Sequence, residues 1–479
     1  MNRHSHGRGL YLAIDQGGHA SRAILFDQSG KNVAHAVVPV ATHHPAPRRV
    51  EHDAEEMAAS VREVIAAAVG QVDDSIPIIA AGLATQRSSV VCWDRRDGRA
   101  LSPVLSWQDR RMADWLTGFS HAESVIQQRT GLILSPHYGA SKLRWCLDQL
   151  PAVQTALREE RLAAGPLASF LVARLTVEGH ILADPANASR TLLFNLATAD
   201  WDPELLGLFG IPAAALPTCV ASRHPFGHLV VGQHRIPLII VTGDQSAALF
   251  GFGPLASDTV LINLGTGAFI QRPIAIRPAP SRLLNSLVYA DADTRTYVLE
   301  GTVNGAGSAL TWAADQLHIS DAEITAGLPA WLAQASSPPL FINAVAGLGS
   351  PYWRPELVSY FVGEGGSAAK LVAVIESIVF LLQVNLQLMA EITTKPAATL
   401  IVSGGLARLD GLCQRLADLN GITVMRPEHV EATARGLALL MAGPSSLFNA
   451  PSKAKSFMPV ANKALQLRYQ YWRKELERA

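Results

Sequence analysis

Two segments of this chain, about 250 residues apart, share one pattern: an apolar strand, a short glycine-rich turn and a second apolar strand. The first turn reads Asp15-Gln-Gly-Gly-His and the second reads Gly265-Thr-Gly. Glycine tolerates positive φ and lets a ligand come close, so such turns form concave groups of backbone N–H donors suited to phosphate oxygens. A glycine turn is also the ordinary connection of a β-hairpin. Its repetition favours two hairpins that hold one polyphosphate.

The length and the element pattern predict two α/β domains. A chain of 479 residues is too long for one hydrophobic core. Residues 1–243 form the predicted N-terminal domain, with the first hairpin, and residues 244–479 form the C-terminal domain, with the second. Buried strands alternate with helices in both, so the second half repeats the plan of the first. A final amphipathic helix, residues 463–477, is expected to dock back and bury Tyr469, Tyr471 and Trp472.

Composition excludes several classes of partner. Lys plus Arg and Asp plus Glu are equal, at 40 each, so there is no basic excess for nucleic acid. The start of the chain lacks the apolar stretch of a secretion signal. The run 375–389 is interrupted by polar residues and falls short of the roughly 20 residues of a membrane span. Four scattered cysteines suggest reduced thiols, and we expect a cytoplasmic protein without a membrane segment.

Local signals predict several further elements. Asp53 can cap a helix over residues 54–68, and Glu56 can reach back to complete a capping box. Residues 122–175 are predicted to be largely helical, and residues 443–456 to form a loop. Asp244 follows a strand that ends on Gly243 and begins a helix. Capping of that helix would lower the pKa of Asp244 and keep it ionised.

A set of motifs in a fixed order resembles the FGGY family of carbohydrate kinases. The similarity runs from about Leu10 to the end of the chain, and within the family the glycerol kinases are the most similar. The ordered set is far more specific than any one glycine pattern. The motifs are Asp15-Gln-Gly, Thr85-Gln-Arg, Ser106-Trp-Gln-Asp-Arg-Arg, Asn187-Ala-Ser-Arg-Thr-Leu-Leu-Phe-Asn, Gly243-Asp-Gln, Gly265-Thr-Gly-Ala-Phe, Gly347-Leu-Gly-Ser-Pro-Tyr-Trp and Gly404-Gly.

The resemblance implies a fold and a set of roles. The fold is the duplicated actin/hexokinase (ribonuclease H-like) α/β type, with ATP in a cleft between the two domains. Asp244 would be the general base, and Asp15 would organise Mg²⁺. Arg22 would meet the transferred phosphate. The implied ATP-binding glycines are Gly17, Gly18, Gly265, Gly267, Gly307, Gly404 and Gly405, together with Thr266.

The implied acceptor site contains both matches to and departures from the glycerol kinases. Arg87, Trp107, Asp244, Gln245 and Phe269 match residues at the acceptor. Two positions differ: Ser88 stands where the glycerol kinases have a glutamate, and His137 where they have a tyrosine. A buried polar group that binds a substrate hydroxyl discriminates strongly between acceptors. A longer polyol or a ketose could therefore replace glycerol.

Some alternatives stay open at this point. His137 could be a hydrogen-bonded structural histidine, and Gly404-Gly405 could be an ordinary turn between strand and helix. Gly18 replaces a threonine of the family, and Leu409 replaces a polar residue near the adenine. The leading hypothesis is an ATP- and Mg²⁺-dependent kinase of a small polyol or ketose. Its rivals are a nucleotide-dependent switch of the actin or chaperone type and a degenerate kinase; whether the chain forms a homo-oligomer is left open.

Overall fold

The computed structural model describes residues 9–253, 256–334, 337–428, 431–443 and 453–479. The chain divides into two compact units. Unit 1 comprises Met1–Pro254, Asn285–Tyr297 and Glu431–Pro451, and unit 2 comprises Leu255–Leu284, Val298–Val430 and Ser452–Ala479. Two segments from the second half of the sequence thus belong to unit 1. The boundary between residues 243 and 244 stays a prediction about the sequence halves.

The elements up to residue 250 alternate strands and helices. In chain order they are β1 (Leu10–Gln16), β2 (Ala20–Phe26), β3 (Asn32–Pro39), β4 (Glu51–His52), α1 (Ala54–Val69), β5 (Ile78–Thr85), β6 (Val90–Asp94), β7 (Val104–Leu105), α2 (Ala113–Leu116), α3 (Glu123–Thr130), α4 (Gly139–Gln149), α5 (Pro151–Arg158), β8 (Leu162–Pro166), α6 (Leu167–Leu175), β9 (Leu182–Ala183), α7 (Pro185–Ala188), β10 (Phe194–Asn195), β11 (Asp200–Trp201), α8 (Pro203–Phe209), β12 (Thr218–Cys219), β13 (Arg223–Val231), β14 (His234–Gly243) and α9 (Asp244–Phe250).

The remaining elements continue the alternation. They are β15 (Thr259–Leu264), β16 (Ala268–Ile274), β17 (Leu284–Ala290), β18 (Arg295–Val303), α10 (Gly307–Leu317), α11 (Asp321–Gln334), β19 (Leu340–Ile342), β20 (Tyr360–Val362), α12 (Ser367–Thr393), β21 (Thr399–Ser403), α13 (Asp410–Asn420), β22 (Thr423–Pro427), α14 (Ala432–Ala442), β23 (Ala454–Phe457) and α15 (Lys463–Arg478).

Unit 1 is built on a six-stranded mixed sheet with the order β13-β14-β5-β1-β2-β3. β1 is parallel to β5 and antiparallel to β2, and β14 is parallel to β5. Side chains alternate across β1: Leu12 and Ile14 pack with α1, whereas Ala13 packs with α14 on the other face. The sheet is therefore covered on both sides, which explains its nearly continuous apolar strands.

Unit 2 repeats this arrangement in the strand order β18-β16-β15-β21-β22-β23, with β18 belonging to unit 2 from Val298 onward. β15 is antiparallel to β16 and parallel to β21, and β21 is parallel to β22. The hairpin β15–β16 thus occupies in unit 2 the place that β1–β2 occupies in unit 1. The predicted α/β class and the duplication are confirmed.

Several local predictions need correction. Asp53 caps α1 by accepting from the amides of Glu55 and Glu56, but the Glu56 carboxylate accepts from the Ala41 amide instead of reaching back. The stretch 122–175, predicted to be largely helical, contains the strand β8. This buried strand pairs with β6 and completes a sheet. The predicted loop over 443–456 ends in β23, which pairs with β22; its residues 444–452 lie outside the described part.

Helix α12 is the buried axis of unit 2. It is long and apolar enough to cross a membrane, yet 89% of its most apolar 18 residues are buried inside the protein. Its interior Asn385 donates to the carbonyls of Ser350 and Leu381, at 3.0 and 2.9 Å, and accepts from the Ser350 hydroxyl. Helix α12 is therefore buried as the core helix of this unit, and its Asn385 side chain forms hydrogen bonds with other protein groups.

The closing helix α15 packs into the core of unit 2 through one face. Leu465, Tyr469, Trp472 and Leu476 are buried, and the Trp472 indole donates to the Phe341 carbonyl at 2.8 Å. Tyr471 is 60% exposed, so its predicted burial is wrong. The helical period places it on the outer face, one residue away from Trp472.

These neighbours make a matched pair for a stability test. Trp472→Ala empties a fully buried site and should lower the free energy of unfolding by about 3–5 kcal/mol. Tyr471→Ala removes an exposed ring and should change it by less than about 0.5 kcal/mol. Urea denaturation followed by circular dichroism measures both, and equal effects would contradict this placement of the helix.

Candidate active site

In the first hairpin, residues 17–19 connect β1 to β2. Gly17 donates to the Ala20 carbonyl at 3.0 Å, whereas the amides of Gly18 and His19 find no acceptor among the described residues. Neither Gly17 nor Gly18 has a positive φ, so the glycines do not serve the conformational purpose predicted for them. A Cβ at Gly18 would lie 3.7 Å from the Gln86 side chain, so larger residues fit there.

The second hairpin is held by the start of α10. The carbonyl of Gly265 accepts from the Gly307 amide at 2.9 Å, and the carbonyl of Thr266 accepts from the Ala306 and Ser308 amides. The amides of Thr266 and Gly267 find no acceptor in the described ranges. Both glycines of this turn again have ordinary φ angles. The turn is thus fixed through its carbonyls, while two N–H groups stay available.

A cavity of about 800 Å³ lies beside this hairpin, entirely within unit 2. Of the predicted nucleotide residues, Gly265, Thr266, Gly307 and Gly405 line it. The other lining residues, which sequence reasoning missed, are Leu264, Ser308, Thr311, Trp312, Asp315 and Leu406. At Gly307 a Cβ would lie 2.9 Å from the Gly265 carbonyl, so only glycine lets α10 approach the turn so closely. The volume and the mixture of apolar wall and polar groups are typical of a small-ligand pocket.

The pair Gly404-Gly405 divides into two different roles. Gly404 has φ 90° and ψ 175°, a region that is almost restricted to glycine, and a Cβ there would lie 2.5 Å from the Leu264 carbonyl. Gly405 lines the cavity and has open space around its Cα. Leu409 is not among the lining residues, and Asp410 is engaged by Lys455 and Arg426.

In unit 1, Asp15 at the end of β1 lies 3.8 Å from Arg22 on β2. Burial, together with the nearby carboxylates of Asp244 and Glu431, raises the pKa of Asp15 to about 7, against the opposing effect of Arg22. Neighbouring carboxylates repel one another when ionised. A divalent cation would relieve that repulsion. No group of three or more His, Cys, Asp or Glu side chains among the described residues lies close enough together to hold a metal ion, so Asp15 fits a Mg²⁺ ion that keeps most of its waters.

Asp244 is the first residue of α9, and Gly243 occupies the cap position. Its carboxylate accepts from the adjacent Gln245 amide at 2.7 Å and caps no later residue. Burial raises the pKa of Asp244, even though Arg87 and Arg190 favour its ionised form. The expectation of a capping aspartate with a lowered pKa is therefore wrong, because desolvation exceeds the local stabilisation.

The predicted acceptor residues of unit 1 come together around Arg87. Its guanidinium donates to Gln245 Oε1, and its side chain packs so tightly on Gly243 that a Cβ there would lie 2.5 Å from Arg87 Cγ. Trp107 and His137 meet edge to face, with ring centroids 5.5 Å apart. Phe269 lies half-buried in β16 of unit 2, directly after the second turn.

Ser88 and His137 are joined by Lys142, a residue of α4 that sequence reasoning did not single out. Lys142 is 1% exposed, and its ammonium donates to the carbonyls of Ser88 and His137 at 2.9 and 2.7 Å. Burial lowers the pKa of Lys142 to about 7. Burial, together with the charges of Lys142, Arg190, Arg110 and Arg87, also lowers the pKa of His137 well below its usual range, so its ring is neutral.

Three residues of this site were missed for different reasons. Lys142 lies in the stretch predicted to be helical, and Arg190 lies in the motif that begins at Asn187. Neither residue has a feature in its local sequence that predicts its role. Glu431 directly precedes α14, and its charge acts on Asp15 because that helix packs on the sheet of unit 1. Such long-range packing leaves no local pattern.

Comparisons with solved structures concern the fold of the chain. The chain can be superimposed on the structure of Plasmodium falciparum glycerol kinase with ADP with a TM-score of 0.90, at 23% identity and with 98% of each chain covered. A xylulose kinase from Rhodospirillum rubrum gives a TM-score of 0.87 at 20% identity, again over 98% of each chain. These likenesses show the fold, which is the duplicated actin/hexokinase type predicted.

Sequence relatives identify the class and then the family. A glycerol kinase of Dechloromonas aromatica is 38% identical over 443 residues, covering 90% of this chain and 88% of the relative, and one of Koribacter versatilis is 34% identical over 489 residues, covering 98% and 97%. The protein is a phosphotransferase that acts on an alcohol group. The N- and C-terminal domains of the FGGY family of carbohydrate kinases match residues 10–251 and 260–443, and the chain belongs to that family.

Substitution of Gly404 and Gly405 tests which glycine is required by its backbone conformation and which one only lines the cavity. Gly404→Ala should lower the free energy of unfolding by about 1–3 kcal/mol, because alanine cannot adopt that backbone conformation without strain. Gly405→Ala should leave it unchanged, since a Cβ meets nothing within 4 Å there. Thermal unfolding measures the stability of both variants. Wild-type stability of Gly404→Ala would contradict the claim that this backbone conformation requires glycine.

The low pKa of Lys142 predicts a pH-dependent contribution to stability. The pKa of Lys142 is about 7 in the folded protein and 10.5 in the unfolded chain. At a pH between these two values the unfolded chain binds more protons than the folded protein, so this group makes the free energy of unfolding rise with pH. Lys142→Met removes that contribution. The difference in melting temperature, wild type minus variant, should therefore increase from pH 7 to pH 9.5. A difference that is constant over this range would contradict the shift.

Proposed function

We propose that this protein transfers the γ-phosphoryl group of ATP, with Mg²⁺, to a primary hydroxyl of a small polyol or ketose. The observation that carries the proposal is the half-buried Asp244 carboxylate beside the Arg87–Gln245 pair. A carboxylate in such a place can accept a proton from a hydroxyl that neighbouring donors hold in position.

The acceptor is proposed to lie against Arg87, Trp107 and Gln245, with Phe269 beside it. Ser88 supports an acceptor larger than glycerol, because its hydroxyl is buried and finds no partner among the described residues. A hydroxyl of the acceptor would satisfy it. His137, neutral and packed on Trp107, offers a ring nitrogen to the same ligand.

Asp244 is proposed as the general base. The acceptor oxygen forms a bond to the γ-phosphorus. At the same time the bond from the γ-phosphorus to the oxygen that bridges the β- and γ-phosphates breaks, and ADP leaves. The hydroxyl proton passes to the Asp244 carboxylate. Its raised pKa suits this task, since a base works best when its pKa is nearer the working pH. The rest of the rate enhancement would come from positioning and charge neutralisation.

The nucleotide is proposed to bind in the cavity of unit 2. Its volume of about 800 Å³ and the close approach of Gly307 to the second turn support this assignment. The amides of Thr266 and Gly267 would donate to phosphate oxygens, and Gly307, Gly404 and Gly405 would border the adenosine. The resemblance implies that Gly17 and Gly18 of the first turn meet the same phosphates, and we include this in the proposal.

Asp15 is proposed to hold Mg²⁺, with Glu431 close to it. The raised pKa of Asp15 among neighbouring carboxylates supports a cation there. When bound, Mg²⁺ would neutralise charge on the phosphate oxygens. Arg22, on the strand after the turn, would bind the transferred phosphoryl group through its forked donors.

The setting of the enzyme is also part of the proposal. Its four cysteines are free thiols, which supports a reducing compartment, the cytoplasm. Small polyols or sugars are its proposed partners, without nucleic acid or membrane. Whether it forms a homo-oligomer is left to measurement.

A panel of acceptors tests the proposed activity. Purified protein is incubated with Mg²⁺-ATP and glycerol, erythritol, dihydroxyacetone or a pentulose, and ADP release is coupled to a fluorescent readout. One acceptor should raise the rate of ADP release well above the rate with ATP alone. The ³¹P NMR spectrum should then show a phosphate monoester at the primary hydroxyl of that acceptor. Equal release with every acceptor would contradict the kinase proposal and favour a nucleotide-dependent switch.

Asp244→Asn tests the proposed base with the best acceptor of that panel. Loss of the proton acceptor should lower kcat by about 10²–10⁴-fold. The dissociation constant for ADP, measured by isothermal titration calorimetry, should change less than about twofold, because the nucleotide cavity lies in the other unit.

Asp184→Asn is the matched control for this experiment. Asp184 is a fully buried aspartate of unit 1, its pKa is raised to about 6 by burial, and it accepts a hydrogen bond from the Asn187 side chain. Its variant should keep turnover near that of the wild type. Turnover of Asp244→Asn at a wild-type level would remove Asp244 from the proposed role.

A further inference from the structure

Lys142 has an unusual environment for a lysine. Its side chain is 1% exposed, and its ammonium donates to two main-chain carbonyls, those of Ser88 and His137. No carboxylate lies within 4.0 Å of the ammonium in the described part of the chain. A buried cation without an ion pair costs stability. The side chain is therefore better explained by the two segments that it connects.

The two carbonyls belong to segments that are separate in sequence and in secondary structure. Ser88 lies in the turn between β5 and β6, and His137 lies in the turn before α4. Ser88 has φ 63°, a left-handed conformation that a serine rarely adopts, so this turn needs support from outside. The ammonium supplies that support at the Ser88 carbonyl, 2.9 Å away.

The side chains carried by these segments are two of those proposed to contact the acceptor. The Ser88 hydroxyl is buried without a partner among the described residues, and the His137 ring packs against Trp107. His137 also contacts Tyr138 edge to face, with centroids 5.1 Å apart. A shift of either segment would move these groups relative to the acceptor. Misplacement by about 1 Å can cost a large part of an enzyme's activity.

We propose that Lys142 is a positioning residue of the acceptor pocket: by tying the Ser88 and His137 segments together, it sets the spacing of the side chains that select the acceptor. This inference rests on the proposed function. It assigns to Lys142 no contact with substrate and no proton transfer. The two bonds persist when the amine is neutral, because an NH₂ group still donates two hydrogen bonds.

Lys142→Met keeps the length of the side chain and removes its donors. With the best acceptor of the panel, KM for the acceptor should rise about tenfold or more, because the pocket loses its spacing. KM for ATP should stay within about twofold, since the nucleotide cavity is in unit 2. The ranking of erythritol, glycerol and dihydroxyacetone should also flatten. An unchanged acceptor KM and ranking would overturn the proposal.

Two variants on the same helix control for general damage. Ser141→Ala removes a buried hydroxyl that has no partner among the described residues, and it should leave acceptor KM unchanged. Leu147→Ala opens a core cavity and should lower the melting temperature while acceptor KM stays at the wild-type value. A rise in acceptor KM for Leu147→Ala as large as for Lys142→Met would overturn the specific role of Lys142. Lys142→Gln, which restores amide donors on a shorter chain, should give an intermediate KM.

Hydrogen exchange tests the bridge independently of activity. In Lys142→Met, peptides that cover residues 86–89 and 135–140 should exchange faster, while peptides of α10 should match the wild type. Unchanged exchange in both segments would overturn the bridge. If the segments loosen but no acceptor stimulates ADP release in the wild type, the proposed function fails while the structural bridge stands.

Discussion

The close packing of α9 against α14 is the contact on which the arrangement of unit 1 depends. At Gly436 a Cβ would overlap the Ala247 carbonyl, and at Gly251 it would overlap the Ala432 backbone, so only glycines allow these helices to meet. The Thr433 hydroxyl adds a bond to the Asp244 carbonyl at 3.3 Å. This packing brings a segment from residues 431–443 onto the first sheet and places Glu431 near Asp15. A long-range backbone contact thus adds a third carboxylate to the neighbourhood of Asp15 and Asp244.

The chemistry follows from the environment that this packing creates. Asp15 and Asp244 both have raised pKa values, because burial outweighs the guanidinium groups nearby. The proposed roles of these two carboxylates, binding a cation and accepting a proton, are two tasks that phosphoryl transfer to an alcohol requires. In unit 2 a glycine turn lies beside a cavity, and its Thr266 and Gly267 amides find no acceptor among the described residues. We therefore propose that the two copies of the duplicated fold carry different parts of the chemistry.

The sequence predicts the repeated elements well and the assembled site only in part. Strand-turn-strand patterns and glycine turns are local, so both hairpins, the class of fold and the start of α9 at Asp244 were predictable. The pKa of Asp244 was predicted in the wrong direction, because helix position is visible in sequence whereas desolvation depends on the folded surroundings. Lys142 and Glu431 were not predicted, since each acts across more than 50 residues of chain. Tyr471 and Trp472 show that an apolar composition alone does not identify the buried face of a helix.

The affinity of ADP for a variant with a filled cavity is the most direct test of the account. Thr311 is an exposed residue of α10 that lines the cavity of unit 2, so Thr311→Trp fills that space without disturbing the core. Thr325→Trp, at an exposed position of α11 outside the lining, is its control. Calorimetry should show ADP affinity reduced by about tenfold or more for Thr311→Trp alone. Equal, wild-type affinity in both variants would contradict a nucleotide site in this cavity, and with it the proposed division of labour between the two units.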